Sequence, residues 1–435
     1  MPGRDRRDAL VLALVVLGFG TGLLRTRDRA APSTFLLRPV AEAPAGRPRF
    51  ETRFVSTRPG THTHAACLVE LGDGRVRAFW YVGSREGAPD VEIHTAVFDP
   101  ERGGWDGERT VADPESTRAS LHRYVRKVGN PAAIRGTDGT LWLFYVTVSI
   151  GGWGGGSISV ITSRDDGETW SPARRLVGSP FFNLGTLVRG EPFLYADGTL
   201  GLPVYQSLPR NVAELLRVDR SGAVVDRQRL SVDGESPQPI VLVRSATTAL
   251  ALMRSSGREP EQRVGAAATQ DAARTWTPRP RLPLLNPDAS LSGIVRPDGQ
   301  LVLALNDVDV ERDALSLVAS DDGGATWRTL RRLEDQLAAR TLPVDDRRYN
   351  RTVAELARAA DARVADARPW VDSSRRFMCW EPRCHFEFSY PFLLQTRAGD
   401  FHLVYTWNRA FIKHVRFDRA WLDEHAAPVA PVARH

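Results

Sequence analysis

The sequence predicts an all-β fold, a six-bladed β-propeller preceded by one apolar N-terminal helix. Three observations point to it: a hairpin pattern that recurs along the chain, an octapeptide repeated in register with that pattern, and a basic-then-apolar start. The 435 residues suffice for two or three ordinary domains or for one large repeat architecture. A content of 42% hydrophobic and 25% charged residues is that of a folded soluble protein. The net charge of +6 is carried almost wholly by arginine, with Lys127 and Lys413 the only lysines. That charge is spread along the chain, so no nucleic-acid partner is expected.

The first element is the helix. Arg4, Arg6 and Arg7 precede an apolar run from Ala9 to Leu24, and Arg25, Arg27 and Arg29 follow it. A basic start with an apolar core is an export signal. The run is shorter than the ~20 residues of a comfortable transmembrane helix, yet no small-x-small cleavage site follows it closely. The expectation is a signal anchor within residues 1–30, with secretion after cleavage as the alternative, and an extracytoplasmic body. Residues 31–50 read as a linker, 51–427 as the propeller and 428–435 as a tail.

From about residue 51 the chain alternates apolar and polar residues between Gly/Asp turns, the pattern of strands. One hairpin recurs six times: from Ala65 ("AACLVELGDGRVRAFWYVG"), Ala132, Pro192, Pro239, Ser292 and Pro391. An Asp-Gly turn between alternating strands is the strongest short hairpin signal. The turn residues Asp73, Asp138, Asp197 and Asp298 allow one repeat per ~50 residues, which is within the range of propeller blades. Repeated four-stranded antiparallel sheets of this length make a propeller, here with six blades.

The octapeptides fit the same register. "SRDDGETW" begins at Ser163, "SDDGGATW" at Ser320 and a worn copy, "TQDAARTW", at Thr269. Asp165, Asp271 and Asp322 lie 106 and 51 residues apart, so the first gap spans two repeats, with Asp219 near the missing middle position. Three copies imply a structural task. A short acidic side chain can hold a tight turn, glycine permits unusual backbone angles, and tryptophan anchors one sheet on its neighbour. A calcium loop needs more ligands than one carboxylate and a hydroxyl. Between blades five and six, residues 328–386 read as an insertion with a helix whose face carries Val353, Leu356, Ala360 and Val364. Cys379 and Cys384 are spaced to pair, and Cys67 lies in an apolar strand pattern.

The pattern Ser-x-Asp-x-Gly-x-Thr-Trp resembles the Asp-box of sialidases and related propellers. From about Thr63 to Phe417 the chain resembles the bacterial "predicted neuraminidase" branch of that superfamily. The stretches that carry the likeness are "HAACLVELGDGRVRAFWYVGSREGAPDVEI", "LNPDASLSGI", "SYPFLLQT" and "VYTWNRAFIKHV". The resemblance implies a retaining glycosidase in which a tyrosine attacks the anomeric carbon, a glutamate serves as base and an aspartic acid protonates the leaving oxygen. Three arginines would clamp the substrate carboxylate. Carried onto this sequence it implies Tyr390 as nucleophile, Asp90 as acid with Arg85 and Glu86 beside it in a charged loop, and Arg254 and Arg312 as clamp residues. Half-buried packing for the tyrosine and solvated surface for the arginines are the structural alternatives.

Two departures stand out. The first blade of such enzymes supplies a clamp arginine, and here "THTHAACL" puts His62 and His64 in its place. The glutamate should open blade four, where "GESPQPIV" offers either Glu235 from a shifted position or the amide Gln238. The leading expectation is a sialidase-like hydrolase acting on a terminal acidic sugar of a glycan. A hydrolase or lyase directed at uronic acids, with His64 or Tyr390 as base, and a propeller that binds glycan without turnover are the alternatives. No cofactor is expected, and two alternating histidines without a third ligand nearby do not make a metal site.

Overall fold

The computed structural model describes residues 2–27, 33–41, 47–179, 183–208, 210–231, 235–256, 262–341, 346–380 and 383–424. Six sheets follow one another, antiparallel but for one two-residue pair in the third, and in the first five the sequence runs from the inner strand outward. The inner strands are His62–Glu70, Lys127–Arg135, Thr186–Val188 with Phe193–Leu194, Pro239–Val243, Ser292–Val295 and Phe388–Gln395. Each ends on one face, here the lower, where the first hairpin turns back. Gly74, Gly139, Gly198, Gly299 and Gly399 take φ between +79° and +92° in these turns, the left-handed region that favours glycine.

Blade 6 closes the ring with a strand from the other end of the chain. Phe50–Phe54 pairs antiparallel with Phe411–Phe417, from Phe50 opposite Phe417 to Phe54 opposite Lys413. Phe54 is buried against Trp370, Trp407 and Phe411, so the closure is apolar as well as hydrogen-bonded. Part of the 31–50 segment is docked as well. Phe35 N–H donates to Ala246, Leu36 N–H to Leu194 and Ala41 N–H to Arg397, and Arg38 pairs with Glu70 at 2.7 Å. Residues 35–41 thereby cross the lower end of the central channel, from blades 3 and 4 to blades 1 and 6.

The octapeptides form the turns after the third strand. In the first, Asp165 accepts from Ser163 Oγ (2.6 Å), Thr169 N–H (2.9 Å) and Thr169 Oγ1 (2.6 Å). Trp170 Nε1 donates to the Gly167 carbonyl, and its ring meets Phe79 of blade 1 edge-on at 5.8 Å. Trp327 likewise joins the core of blade 4, and Trp276 that of blade 3. Each tryptophan pins its blade to the preceding one.

The insertion differs from expectation at its start. Arg328–Asp335 is the fourth strand of blade 5; two register shifts break its alternation, and a run of charged residues hides it in the sequence. Helices Ala338–Thr341, Asp346–Ala360 and Arg368–Met378 follow. Tyr349, Val353, Ala357 and Ala360 are buried against blades 5 and 6, while Leu356 is only partly covered. Cys379 and Cys384 form a disulfide across a short hairpin, and Cys67 is buried, its thiol pushed up to about 12 by burial. The N-terminal helix spans Pro2–Arg27, with Leu10, Leu14 and Leu17 among its exposed side chains. No helix among the described residues is long and apolar enough to cross a membrane, so the structure lends the anchor no support. Residues 428–435 lie outside the described residues.

Candidate active site

Inner strands begin on the upper face, and there the backbone is bent in the same way in several blades. Ala65, Asn130, Gln238 and Tyr390 all have φ between +47° and +55°. Register shifts mark bulges at 64/67, 129/132 and 389/392. Bulges re-aim side chains next to sites, and left-handed conformations in residues with a Cβ cost free energy that the surrounding fold must hold.

Tyr390 is the centre of the resulting cluster. Its hydroxyl accepts from Arg254 Nη1 at 2.9 Å and lies 3.4 Å from Gln238 Nε2. The guanidiniums of Arg189, Arg254 and Arg312 lie 5.3, 5.8 and 5.7 Å from its ring centre, and the His64 ring lies at 4.2 Å. Burial alone would make the phenol less acidic, but Arg254 and Arg312 outweigh it and hold its pKa below the ordinary tyrosine value.

The arginines are themselves anchored. Arg254 follows the strand Ala249–Met253; its N–H donates to the Pro237 carbonyl, and its Nε to Asp288 at 2.7 Å. Burial would weaken its charge, and Tyr390 and Asp288 more than restore it. Arg312 donates to the Asp288 carbonyl at 2.7 Å and pairs with Glu387 at 3.4 Å. The Phe388 N–H on the Arg312 carbonyl ties that loop to the start of blade 6. Arg189, buried beneath the tyrosine, donates to the carbonyls of Tyr390 and Pro391.

Blade 1 supplies the opposite wall. His62 and His64 are both buried; burial, reinforced by Arg409, pushes His62 down to about 4 and His64 well below its ordinary value. Both imidazoles are therefore neutral near pH 7. Phe377, at the end of helix Arg368–Met378, meets His62 edge-on at 5.5 Å, and Ser373 Oγ accepts from Gly60 N–H. The insertion is thus a fixed wall of the site. Among the described residues no group of three His, Cys, Asp or Glu side chains could hold a metal ion.

The charged loop after the first hairpin separates its two carboxylates. Asp90, expected as the acid, caps its own turn, with Ser84 N–H at 3.0 Å and Ser84 Oγ at 2.9 Å on its two oxygens. Glu86 instead faces the mouth: Trp153 Nε1 donates to it at 3.3 Å, and its charge acts on His62, Tyr81, Lys127, Tyr205 and Tyr390. Arg85 is exposed on the same loop. Glu235 lies in a short strand paired in parallel with Asn211–Val212; its side chain falls outside the described residues. Gln238, the amide, occupies the position beside the phenol.

Glu387, Arg409 and Arg189 went unnoticed in the sequence. A weak signal was available. Residues just before a proline take left-handed angles in three inner-strand regions (Asn130, Gln238, Tyr390), and Glu387 lies three residues before the last of them.

A ring of six blades with this cluster at its upper mouth is a BNR-repeat propeller. The chain belongs to the BNR repeat-like domain family, which matches residues 74–403. Its fold is similar to that of a Hadza microbial sialidase, at 17% identity and a TM-score of 0.58, covering 81% of this chain and 65% of that one. It is also similar to the intramolecular trans-sialidase from Ruminococcus gnavus, at 13% identity and a TM-score of 0.54, covering 85% and 96%. A protein of unknown function from Dyadobacter fermentans is similar at 12% identity and a TM-score of 0.59, covering 85% and 98%. The chain thus spans just under two thirds of the Hadza enzyme. No curated protein matches the sequence.

Proposed function

We propose that the protein is a sialidase-like glycoside hydrolase that removes a terminal acidic sugar from glycans outside the cytoplasm, with Tyr390 as nucleophile. The observation that carries this reading is the phenol held by Arg254 and surrounded by three guanidiniums, two of which, those of Arg254 and Arg312, lower its pKa despite burial. A phenol is suited to attack an anionic sugar that would repel a carboxylate, and Arg254 and Arg312 would bind the sugar's own carboxylate, while Arg189 holds the backbone beneath the phenol. In this reading the phenolate oxygen bonds to the anomeric carbon as the bond to the leaving oxygen breaks. Glu86 is better placed than Asp90 to protonate that oxygen, since the turn already uses both oxygens of Asp90. Water then gives a proton to the Glu86 carboxylate as it attacks the anomeric carbon, and Tyr390 leaves as phenolate.

A second reading, a hydrolase or lyase acting on uronic acids, is favoured by two features. An amide stands where the base carboxylate is expected, and the neutral His64 lies against Tyr390. A glycan-binding propeller without turnover is the third outcome. Fluorogenic sialoside, uronide and neutral hexoside substrates offered to the full chain and to Tyr390→Phe separate the three. Sialoside release lost in the variant supports the first reading, and uronide turnover alone the second. Binding without turnover of any substrate would leave only the third. The extracytoplasmic placement rests on the basic and apolar N-terminus; a periplasmically active reporter fused behind it should be active, and an inactive fusion would argue against export.

A further inference from the structure

With neutral histidines where a clamp arginine is expected, a carboxylate in the mouth would meet Arg254 and Arg312 alone. The fold brings a further guanidinium to that place from another blade. Arg409 lies in the turn between strands Phe401–Trp407 and Phe411–Phe417 of blade 6, where Asn408 and Arg409 both take left-handed angles, φ +50° and +52°. The Arg409 carbonyl accepts the Thr63 N–H at 2.9 Å, so the turn sits directly on the His62–His64 strand. Its Nε donates to Glu387 at 2.6 Å. Among the described residues its two terminal amino groups make no hydrogen bond, and the side chain is 36% exposed, within reach of a ligand.

Glu387 joins the two blades' arginines. It is buried, accepts from Ser389 Oγ at 2.6 Å, and holds Arg409 on one oxygen and Arg312 on the other. A buried carboxylate shared by two partly exposed guanidiniums fixes their spacing while leaving donors of Arg409 unused. Single-donor pairing of this kind leaves the planar fork available for a second carboxylate.

We infer that Arg409 is the third cation for the substrate carboxylate, replacing the arginine absent from blade 1, and that Glu387 is the positioning residue that sets Arg409 beside Arg312. This inference rests on the acidic-sugar reading of the site. It is tested by calorimetric titration of the full chain with N-acetylneuraminic acid, its methyl ester and glucuronic acid. The wild-type chain should prefer an acid over the ester. Arg409→Gln should weaken that acid by about tenfold to a hundredfold, the loss of a charge-assisted pair, and leave ester affinity unchanged. Arg409→Lys should restore part of the loss, because it returns the charge without the fork. If Arg409→Gln kept the full acid–ester preference while Arg254→Gln lost it, the role of Arg409 would be overturned and the acidic-sugar reading would stand. A wild-type chain indifferent to the carboxylate would overturn both.

Discussion

Tyr390 is subject to opposed effects. Burial disfavours its ionised form, while Arg254 and Arg312 favour it and prevail. With the amide Gln238 beside its hydroxyl in place of a carboxylate, Tyr390 in the proposed mechanism ionises to solvent. The kcat/KM of the wild-type enzyme should therefore climb with pH toward an alkaline limb set by Tyr390. Gln238→Glu should supply the base and move that limb to the carboxylate range, roughly pH 4–5; a profile unmoved by the substitution would contradict the assignment. At this scale the sequence carried Tyr390, Arg254 and Arg312 because each lies at a fixed place relative to a hairpin. It could not distinguish Asp90 from Glu86, because which of the two carboxylates its own turn consumes depends on the fold of that turn. Arg409 and Glu387 were hidden for another reason: one of 58 basic residues gains meaning only when it meets a strand more than 300 positions away.

The octapeptide turns show how much one residue type matters within an element. Gly167 and Gly324 take φ of +95° and +98° in the two intact copies. The worn copy places Ala273 there at φ +69°, preceded by Ala272 at +56°. Its aspartate still accepts from both Thr275 groups, at 2.9 and 2.6 Å, yet the buried Trp276 Nε1 has no partner among the described residues. Ala273→Gly should relieve the left-handed cost and raise stability by about 1 kcal/mol, read as a shift in the denaturant midpoint. No shift would mean that the neighbouring strands set this turn regardless of residue. Six hairpins were legible because four of them carry an Asp-Gly turn, a local signal, and the other two repeat the alternating pattern around it. The strand Arg328–Asp335 was not, because two bulges break its alternation and one of the two side chains it buries is Glu334.

At the scale of the molecule, the ends of the ring and its channel decide stability, and neither was legible. No local pattern pairs Phe50 with Phe417, and the docking of residues 35–41 depends on carbonyls from three blades. Beneath that strap lies a channel cavity of about 700 Å³, lined by Leu36, Leu68, Ile134, Val241, Ile294 and Glu191 among others. Burial pushes the Glu191 carboxyl up to about 7, only partly offset by Arg38. Its folded pKa exceeds the ordinary value of 4.5, so the stability associated with its protonated form is complete below about pH 4.5 and is lost as pH rises through 7. Glu191→Gln should therefore stabilise the protein at pH 8, on the order of 1–3 kcal/mol, and leave it unchanged at pH 4. Equal effects at both pH values would contradict a buried, titrating acid.

The central claim, that a phenol in an arginine cage is the nucleophile, is tested most directly by trapping. An acidic glycosyl fluoride carrying a second fluorine on the carbon next to the anomeric centre should glycosylate the enzyme and hydrolyse slowly. Peptide mass spectrometry should then find the sugar on the peptide containing Tyr390, and find none in Tyr390→Phe. Turnover of the parent glycoside without any adduct, or an adduct on another residue, would contradict the account.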